Sequence, residues 1–312
     1  MSSGSNGKMH DDEVETSAAL VRRLLAPQFP QWADLPIAPV PSAGTDNALY
    51  RLGDELVARL PRIHWAAGDV LDEWLWLPRL APRLPLAIPQ PLALGEPGED
   101  YPWQWGVYRW LPGADATRAH IGDEAQLARD LADFILALQG IETTGWPPPE
   151  PPRTGRGEPL VTRDAETRAA IAQLAALDLL DAETSAAVTA EWDAALRAPL
   201  WSGPLVWAHA DLSPLNFIMR DGRLSAIIDW SGVGLGDPAC DLLPAWSTFT
   251  VEARAVFRAA LAVDDATWAR GRGLALSIAL VALPYYYITN PALAGLARRS
   301  IAAIVAEARD DA

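Results

Sequence analysis

The chain has 312 residues, half of them hydrophobic, with 25 Lys and Arg set against 40 Asp and Glu for a formal charge of −15. Such a length suits one large core or two lobes, and the acidic balance argues against nucleic acid, whose phosphates call for a basic footprint. A cationic small molecule or a simply solvated surface fits that balance.

The opening MSSGSNGK is Ser/Gly-rich without an apolar stretch of the signal-peptide kind, so residues 1–10 read as a tag or disordered tail, with Met9 as a natural start. No run of roughly 20 apolar residues is present to span a membrane. The single cysteine, Cys240, lies in an apolar stretch and reads as a packed thiol. Together these features predict a cytoplasmic protein.

From Val14 to Leu25 apolar residues recur at helical spacing, and Pro27 helps to end that helix. Residues Leu35–Pro41, Ala48–Leu52 and Glu55–Leu60 are short apolar or alternating runs divided by Gly/Asp turns, the pattern of an antiparallel meander. A helix over Ala66–Leu80 and an aromatic strand over Trp103–Leu111 complete a small mixed lobe. Beyond Leu111-Pro112-Gly113 helices are predicted over Asp123–Gln139, Arg163–Leu177 and Asp181–Arg197, with three more after Asp237. Between the first two lies GWPPPEPPRTGRGEP, whose prolines favour extended, exposed chain; it reads as a surface excursion, an inert connecting loop first and a border of the substrate cleft second. Leu274–Ile288, with Pro284 and three tyrosines, reads as a buried helix. The expectation is an α+β chain with a lobe over 11–111 and a helical lobe over 112–312.

The chemistry concentrates in HADLSPLNFIMRDGRLSAIIDWSGVGLGDPACD, His209 to Asp241. Asp221-Gly222 is a two-residue hairpin signal between apolar strand-like runs, and a turn centred there sets Asn216 opposite Ile227 with Asp229 just beyond. An amide oxygen and a carboxylate then converge as hard ligands, suited to a Mg²⁺ that takes its remaining oxygens from water and nucleotide phosphates. Asp211 stands free to receive a proton from a substrate hydroxyl. Taken singly, a buried Asp capping a turn explains each of these residues; their joint spacing favours the catalytic reading. Asp237, followed by Pro238, is placed as a helix N-cap, and Asp241 as the residue that orients the loop.

HADLSPLN followed by IIDW resembles the catalytic loop and metal-binding Asp of the kinase-like fold, and GLGDPACDLLPAW is similar to the aminoglycoside phosphotransferase family. The resemblance implies a bilobal protein-kinase-like fold, with His209 as loop organiser, Asp211 as catalytic base, and Asn216 and Asp229 as metal ligands. Ala210 stands where that family usually has Gly, and Trp230 where protein kinases have Phe. In the small lobe, Ser42, Gly44 and Thr45 lie in a loop that alone reads as an ordinary hairpin, and similarity to the family's GTDNALYRLG pattern implies that it covers nucleotide phosphates. Arg59 occupies the strand position of the kinase phosphate-contacting Lys, with Glu73 as its partner and Arg62 as an exposed competitor; alternation puts Arg59 on the face of Val57. Tyr108 and Trp110 mark the hinge, whose backbone groups would meet a purine edge of ATP, with GTP left open.

Asp237 follows Asp229 by only eight positions, too few for the activation segment of a protein kinase, so the acceptor is expected to be a small molecule. An antibiotic is implied, an aminoglycoside first and a macrolide second, with drug resistance as the role. Acidic residues Asp115, Asp123, Glu124, Asp164 and Glu166 would draw in a polycation, or are merely solvated. The Tyr285-Tyr286-Tyr287 run lines an apolar pocket on one reading and packs in the core on the other. A sugar, amino alcohol or amino acid kinase remains the alternative, and a non-catalytic nucleotide-binding regulator is the third.

Overall fold

The computed structural model describes residues 13–41, 46–144 and 155–310. It divides into two compact units, one running through Pro82 and resuming at Ile88–Leu111, the other made of Arg83–Ala87 and the chain from Pro112 onward.

The first unit is a five-stranded antiparallel sheet with one α-helix ahead of its strands and another between the third and fourth. Its strands are β1 (Ile37–Pro39), β2 (Asn47–Leu52), β3 (Leu56–Pro61), β4 (Pro91–Gly95) and β5 (Trp105–Arg109), in the order β1-β2-β3-β5-β4. Strand β4 is absent from the sequence-based prediction. It opens on a proline at the sheet edge, where a missing N–H costs no ladder bond. Helix α1 (Ala18–Gln28) starts later than its apolar pattern suggests, because the Val14 amide donates to the Arg62 carbonyl at 2.8 Å and only Ser17 caps the helix, accepting from the Leu20 amide at 3.1 Å. Helix α2 (Asp69–Leu80) follows a short 3-10 turn over His64–Ala66.

The core of this unit joins Leu20, Val21, Leu24 and Leu25 of α1 to Leu56, Ala58 and Leu60 of β3 and to Trp105 and Val107 of β5. Side chains alternate along a strand, so Arg59 projects from the opposite face. It does share that face with Val57, but the core cluster forms on the other side. Arg62, predicted to be exposed, is instead paired with the buried Glu13.

The second unit is mainly helical: α3 (Glu124–Gln139), α4 (Asp164–Ala176), α5 (Ala182–Arg197), α6 (Pro244–Ser247), α7 (Val251–Leu261), α8 (Asp265–Tyr286) and α9 (Pro291–Asp310). Four α-helices thus follow Asp237, not three, preceded by a 3-10 helix over Pro238–Leu242. The short strands β6 (Ala114–Asp115), β8 (Phe217–Arg220) and β9 (Arg223–Ile227) form one sheet, and β7 (Val206–Ala208) pairs with β10 (Gly234–Gly236). Glu307 on α9 accepts from the Trp268 indole at 3.0 Å, the Arg254 guanidinium at 3.1 Å and the Trp246 indole, fastening α9 to α6, α7 and α8. The tyrosine run is not core packing, since Tyr285 is 52% exposed at the end of α8. Among the described residues no helix is long and apolar enough to cross a membrane.

Candidate active site

The hairpin of β8 and β9 turns at Asp221-Gly222 as the sequence suggests, but its register carries a correction. Arg220 faces Arg223 and Met219 faces Leu224, after which Ser225 is an extra residue, so that Ile218 meets Ala226 and Phe217 meets Ile227. Ile227 is therefore not opposite Asn216; the Ile228 amide reaches the Asn216 carbonyl at 2.9 Å instead. The Ser225 hydroxyl donates to the Ile218 carbonyl at 2.8 Å across this bulge, which adds local twist. The outcome still brings Asn216 to the strand end from which Asp229 emerges.

The loop ahead of β8 is held from beneath by Asp241. Its two carboxylate oxygens accept from the His209 amide at 3.0 Å and the Ala210 amide at 2.8 Å, and the side chain is fully buried. Those bonds hold Ala210 at a φ of +60°, a left-handed conformation costing an L-residue about 1–2 kcal/mol; a glycine would bear no such cost, which explains why Gly suits this position. His209 is also fully buried. Its Nδ1 accepts from the Asp211 amide at 3.2 Å while Nε2 lies 3.1 Å from the Ile228 carbonyl. Those partners require the neutral, Nε2-protonated ring, in agreement with burial pushing its pKa down. Trp230 packs edge-on to this imidazole at 4.8 Å and donates its indole N–H to the Ile227 carbonyl at 3.1 Å.

Burial pushes the Asp241 carboxyl up to about 6 despite its two amide donors. An acid whose folded-state pKa exceeds its unfolded value near 3.9 holds more protons when folded, so its contribution to stability falls as pH rises from about 4 to about 6. Asp241→Asn cannot titrate. Urea unfolding across this range is expected to show the stability advantage of wild type over Asp241→Asn shrinking by up to about 3 kcal/mol with rising pH; a constant difference contradicts it.

Asp211 keeps a third of its side chain exposed. The Asn216 amide nitrogen donates to the Asp211 carbonyl at 2.8 Å and lies 3.3 Å from Oδ2, so its amide oxygen is the atom that could serve a cation. Asp229, at a φ of +63°, accepts from the Ser231 hydroxyl at 3.1 Å. The donor set of one amide oxygen and one carboxylate suits a magnesium ion that completes its shell with water and phosphate oxygens. Asp237 caps the 3-10 helix by accepting from the Ala239 amide at 2.9 Å, and it also binds the Arg270 guanidinium at 2.6 Å.

Sequence reasoning missed one member of this group. Arg156, within the segment expected to be an inert excursion, donates through Nη1 to the Ala210 carbonyl at 2.9 Å and to Asp211 Oδ1. No local pattern marks it, since its partners lie more than fifty residues away.

In the first unit Arg59 and Glu73 form the expected ion pair, with side-chain exposures of 9% and 0%. Tyr108 is not a free hinge side chain: its hydroxyl donates to Glu73 Oε2 at 2.7 Å, and burial beside that carboxylate pushes its pKa up. The ring folds over Gly106, where a Cβ would come within 2.4 Å of it. Trp110 stacks under the Arg51 guanidinium at 4.1 Å and donates its amide to the Glu55 carbonyl at 2.7 Å, while the Arg109 amide goes to the Gln90 carbonyl at 2.9 Å. These two hinge amides are therefore engaged within the sheet unit. Ser42, Gly44 and Thr45 lie outside the described residues.

The acidic side chains expected to attract a polycation have internal partners. Asp115 accepts from the Thr117 amide at 3.1 Å, Asp123 caps α3, and Glu124 binds the Thr250 amide and hydroxyl at 3.0 and 2.9 Å. Asp164 binds Arg168 at 2.8 Å and the Trp192 indole at 2.7 Å, and Glu166 faces Arg163 at 3.5 Å.

None of the curated proteins matches the sequence. Among solved structures, the GDP complex of wild-type aminoglycoside 2'-phosphotransferase-IIIa is similar with a TM-score of 0.72 at 17% identity, covering 94% of this chain and 99% of that one. The gentamicin complex of APH(2")-IIa gives 0.61 at 17% identity over 94% and 99%. Macrolide 2'-phosphotransferase MphH from Brachybacterium faecium gives 0.59 at 22% identity over 91% and 97%. At such identities the likeness establishes the fold, which is the kinase-like α+β fold of those enzymes. The model of the phosphotransferase enzyme family matches residues 38–274, well over half of the sequence, and the chain belongs to that family.

Proposed function

We propose that the chain transfers the γ-phosphoryl of a nucleoside triphosphate to a hydroxyl of a small molecule, with Asp211 as general base. The observation that carries this reading is the Asp211 carboxylate, partly exposed at the tip of a loop whose backbone is fixed by the fully buried Asp241 and His209. Asp211 accepts the hydroxyl proton as the new O–P bond forms and the bond to the nucleoside diphosphate breaks, and it later releases that proton to water. Asn216 and Asp229 would hold a magnesium ion, which supplies neutralising charge to the donor phosphates. Arg59, oriented by Glu73, serves the donor phosphates in the sheet unit. The donor is ATP, with GTP as the second candidate; among the similar structures are complexes with GDP, with ADP and with ATP.

For the acceptor we propose an antibiotic, an aminoglycoside or a macrolide, with resistance as the physiological role. The similarity to aminoglycoside and macrolide phosphotransferases supports it. One observation favours a second reading, a metabolic alcohol without multiple positive charges: Asp115, Asp123, Glu124, Asp164 and Glu166 each have a partner within the chain, and a guanidinium stands beside the base. Transfer of labelled γ-phosphate from Mg-ATP and Mg-GTP to a panel of aminoglycosides, macrolides, sugars, amino alcohols and hydroxy amino acids separates the two. A labelled aminoglycoside or macrolide supports the first, label only on a metabolic alcohol the second. Nucleotide binding without label on any acceptor, or on water, overturns the kinase reading and leaves a non-catalytic regulator.

A further inference from the structure

We propose that Arg156 is a catalytic cation that contacts the transferring phosphoryl group, supplied to the base from a separate segment of the chain. The inference rests on the reading of Asp211 as the base. A base must come within about 2.6–3.2 Å of the hydroxyl it deprotonates, and in a reactive pose the hydroxyl oxygen lies about 3–3.5 Å from the atom it attacks. A guanidinium bound to that same carboxylate is therefore one group away from the moving phosphoryl.

The donors of Arg156 are divided in a way that suits this role. Both of its hydrogen bonds, to the Ala210 carbonyl and to Asp211 Oδ1, use Nη1. Nε and Nη2 have no hydrogen-bond partner among the described residues, and three N–H groups remain to bind an oxyanion. Asp211 keeps its capacity as a base, because each carboxylate oxygen has two lone pairs and Arg156 takes only one of the four.

The segment is seated rather than merely nearby. The Asp237 amide donates to the Gly157 carbonyl at 3.2 Å, and a Cβ on Gly236 would lie 2.7 Å from the Gly157 Cα, so only bare backbone permits the approach. Asp237 is itself fixed by Arg270. On the downstream side Leu160 is buried and its Cδ1 would meet a Cβ on Gly273 at 2.9 Å.

Charge supplies the reason for such a cation. Asp211, Asp229 and Asp241 surround the loop and His209 is held neutral, so a phosphoryl group with spread negative charge approaches three carboxylates. Preorganised cationic donors aimed at developing charge are among the largest contributors to catalysis, and removing one commonly costs about 10²–10³-fold in rate. In some phosphotransferases an arginine supplied from elsewhere plays this part.

The test uses the full chain with Mg-ADP or Mg-GDP, each with and without aluminium fluoride as a mimic of the transferring phosphoryl, and reads affinity by calorimetry. Wild type is expected to bind the diphosphate far more tightly once aluminium fluoride is present. Arg156→Ala and Arg156→Gln should lose about 10²–10³-fold of that tightening while retaining diphosphate affinity, and Arg156→Lys should keep part of it. Asp211→Asn should retain the tightening, because the guanidinium acts on the phosphoryl itself. Undiminished tightening in folded Arg156→Ala and Arg156→Gln overturns the proposal. So does an equal loss in an Asp211→Asn variant whose Mg²⁺-diphosphate affinity matches wild type, which makes Arg156 a positioning residue acting through the base. Absence of tightening in wild type with both diphosphates sinks the phosphoryl-transfer reading as well, so the two failures are told apart.

Discussion

Asp211→Asn is expected to lower kcat by about 10²–10⁴-fold, the range over which a positioned general base contributes, while nucleotide affinity holds. The substitution is nearly isosteric, and the loop that presents it is secured by groups it does not disturb: Asp241 grips the amides at 209 and 210, and His209 Nδ1 takes the amide at 211. An amide oxygen at this position can still receive Arg156, but the nitrogen cannot take up a proton. That nitrogen also meets the Asn216 side-chain nitrogen, 3.3 Å from Oδ2 in wild type, and two donors facing each other will turn the Asn216 amide. Affinity is therefore best measured for ADP both without metal and with Mg²⁺, since a loss confined to the second belongs to Asn216 and not to the base. Steady-state rates with whichever acceptor the transfer panel identifies supply kcat. Near-full turnover in Asp211→Asn rules this residue out as the base.

How much of this centre was legible follows from sequence distance. His209, Asp211, Asn216 and Asp229 lie on one loop and one hairpin, and a two-residue turn is enough to show that the chain closes on itself. Even there the pairing beyond Met219 was one residue out, because the extra residue at Ser225 has no composition signal. Arg59 and Glu73 were found through a resemblance, but the face on which the core formed was not, since the alternation in β3 is apolar on both sides except at Arg59. Tyr108 is placed at the hinge for its backbone groups, and that its hydroxyl is taken by a carboxylate from α2 is a pairing that no local pattern encodes. Arg156 is the extreme case. Its importance comes from a bare-backbone contact between Gly157 and Gly236 and a partner 55 positions on, and in the sequence it is one cation in a proline-rich stretch.

The Glu73 carboxylate holds the other large expected effect, and it bears on donor binding. Glu73 is fully buried, with Oε1 on the Arg59 guanidinium and Oε2 on the Tyr108 hydroxyl. Glu73→Ala removes the acceptor of the buried Tyr108 hydroxyl and the ion-pair partner at Arg59 Nη1, and breaking such a pair from one side costs about 3–5 kcal/mol. Urea unfolding is expected to show a loss of this size. Glu73→Gln keeps one acceptor oxygen and should cost less. Removing both charges is different in kind, because buried ion pairs replaced by apolar groups of similar volume are often neutral in stability. Arg59→Met combined with Glu73→Leu is therefore expected to recover most of the stability lost in Glu73→Ala, save for the Tyr108 hydroxyl. This double variant isolates the phosphate role of Arg59 from its structural one. If Arg59 engages the donor, the restored protein binds Mg-ATP and Mg-GTP far more weakly than wild type; binding at the wild-type level would reduce Arg59 to one half of an internal ion pair.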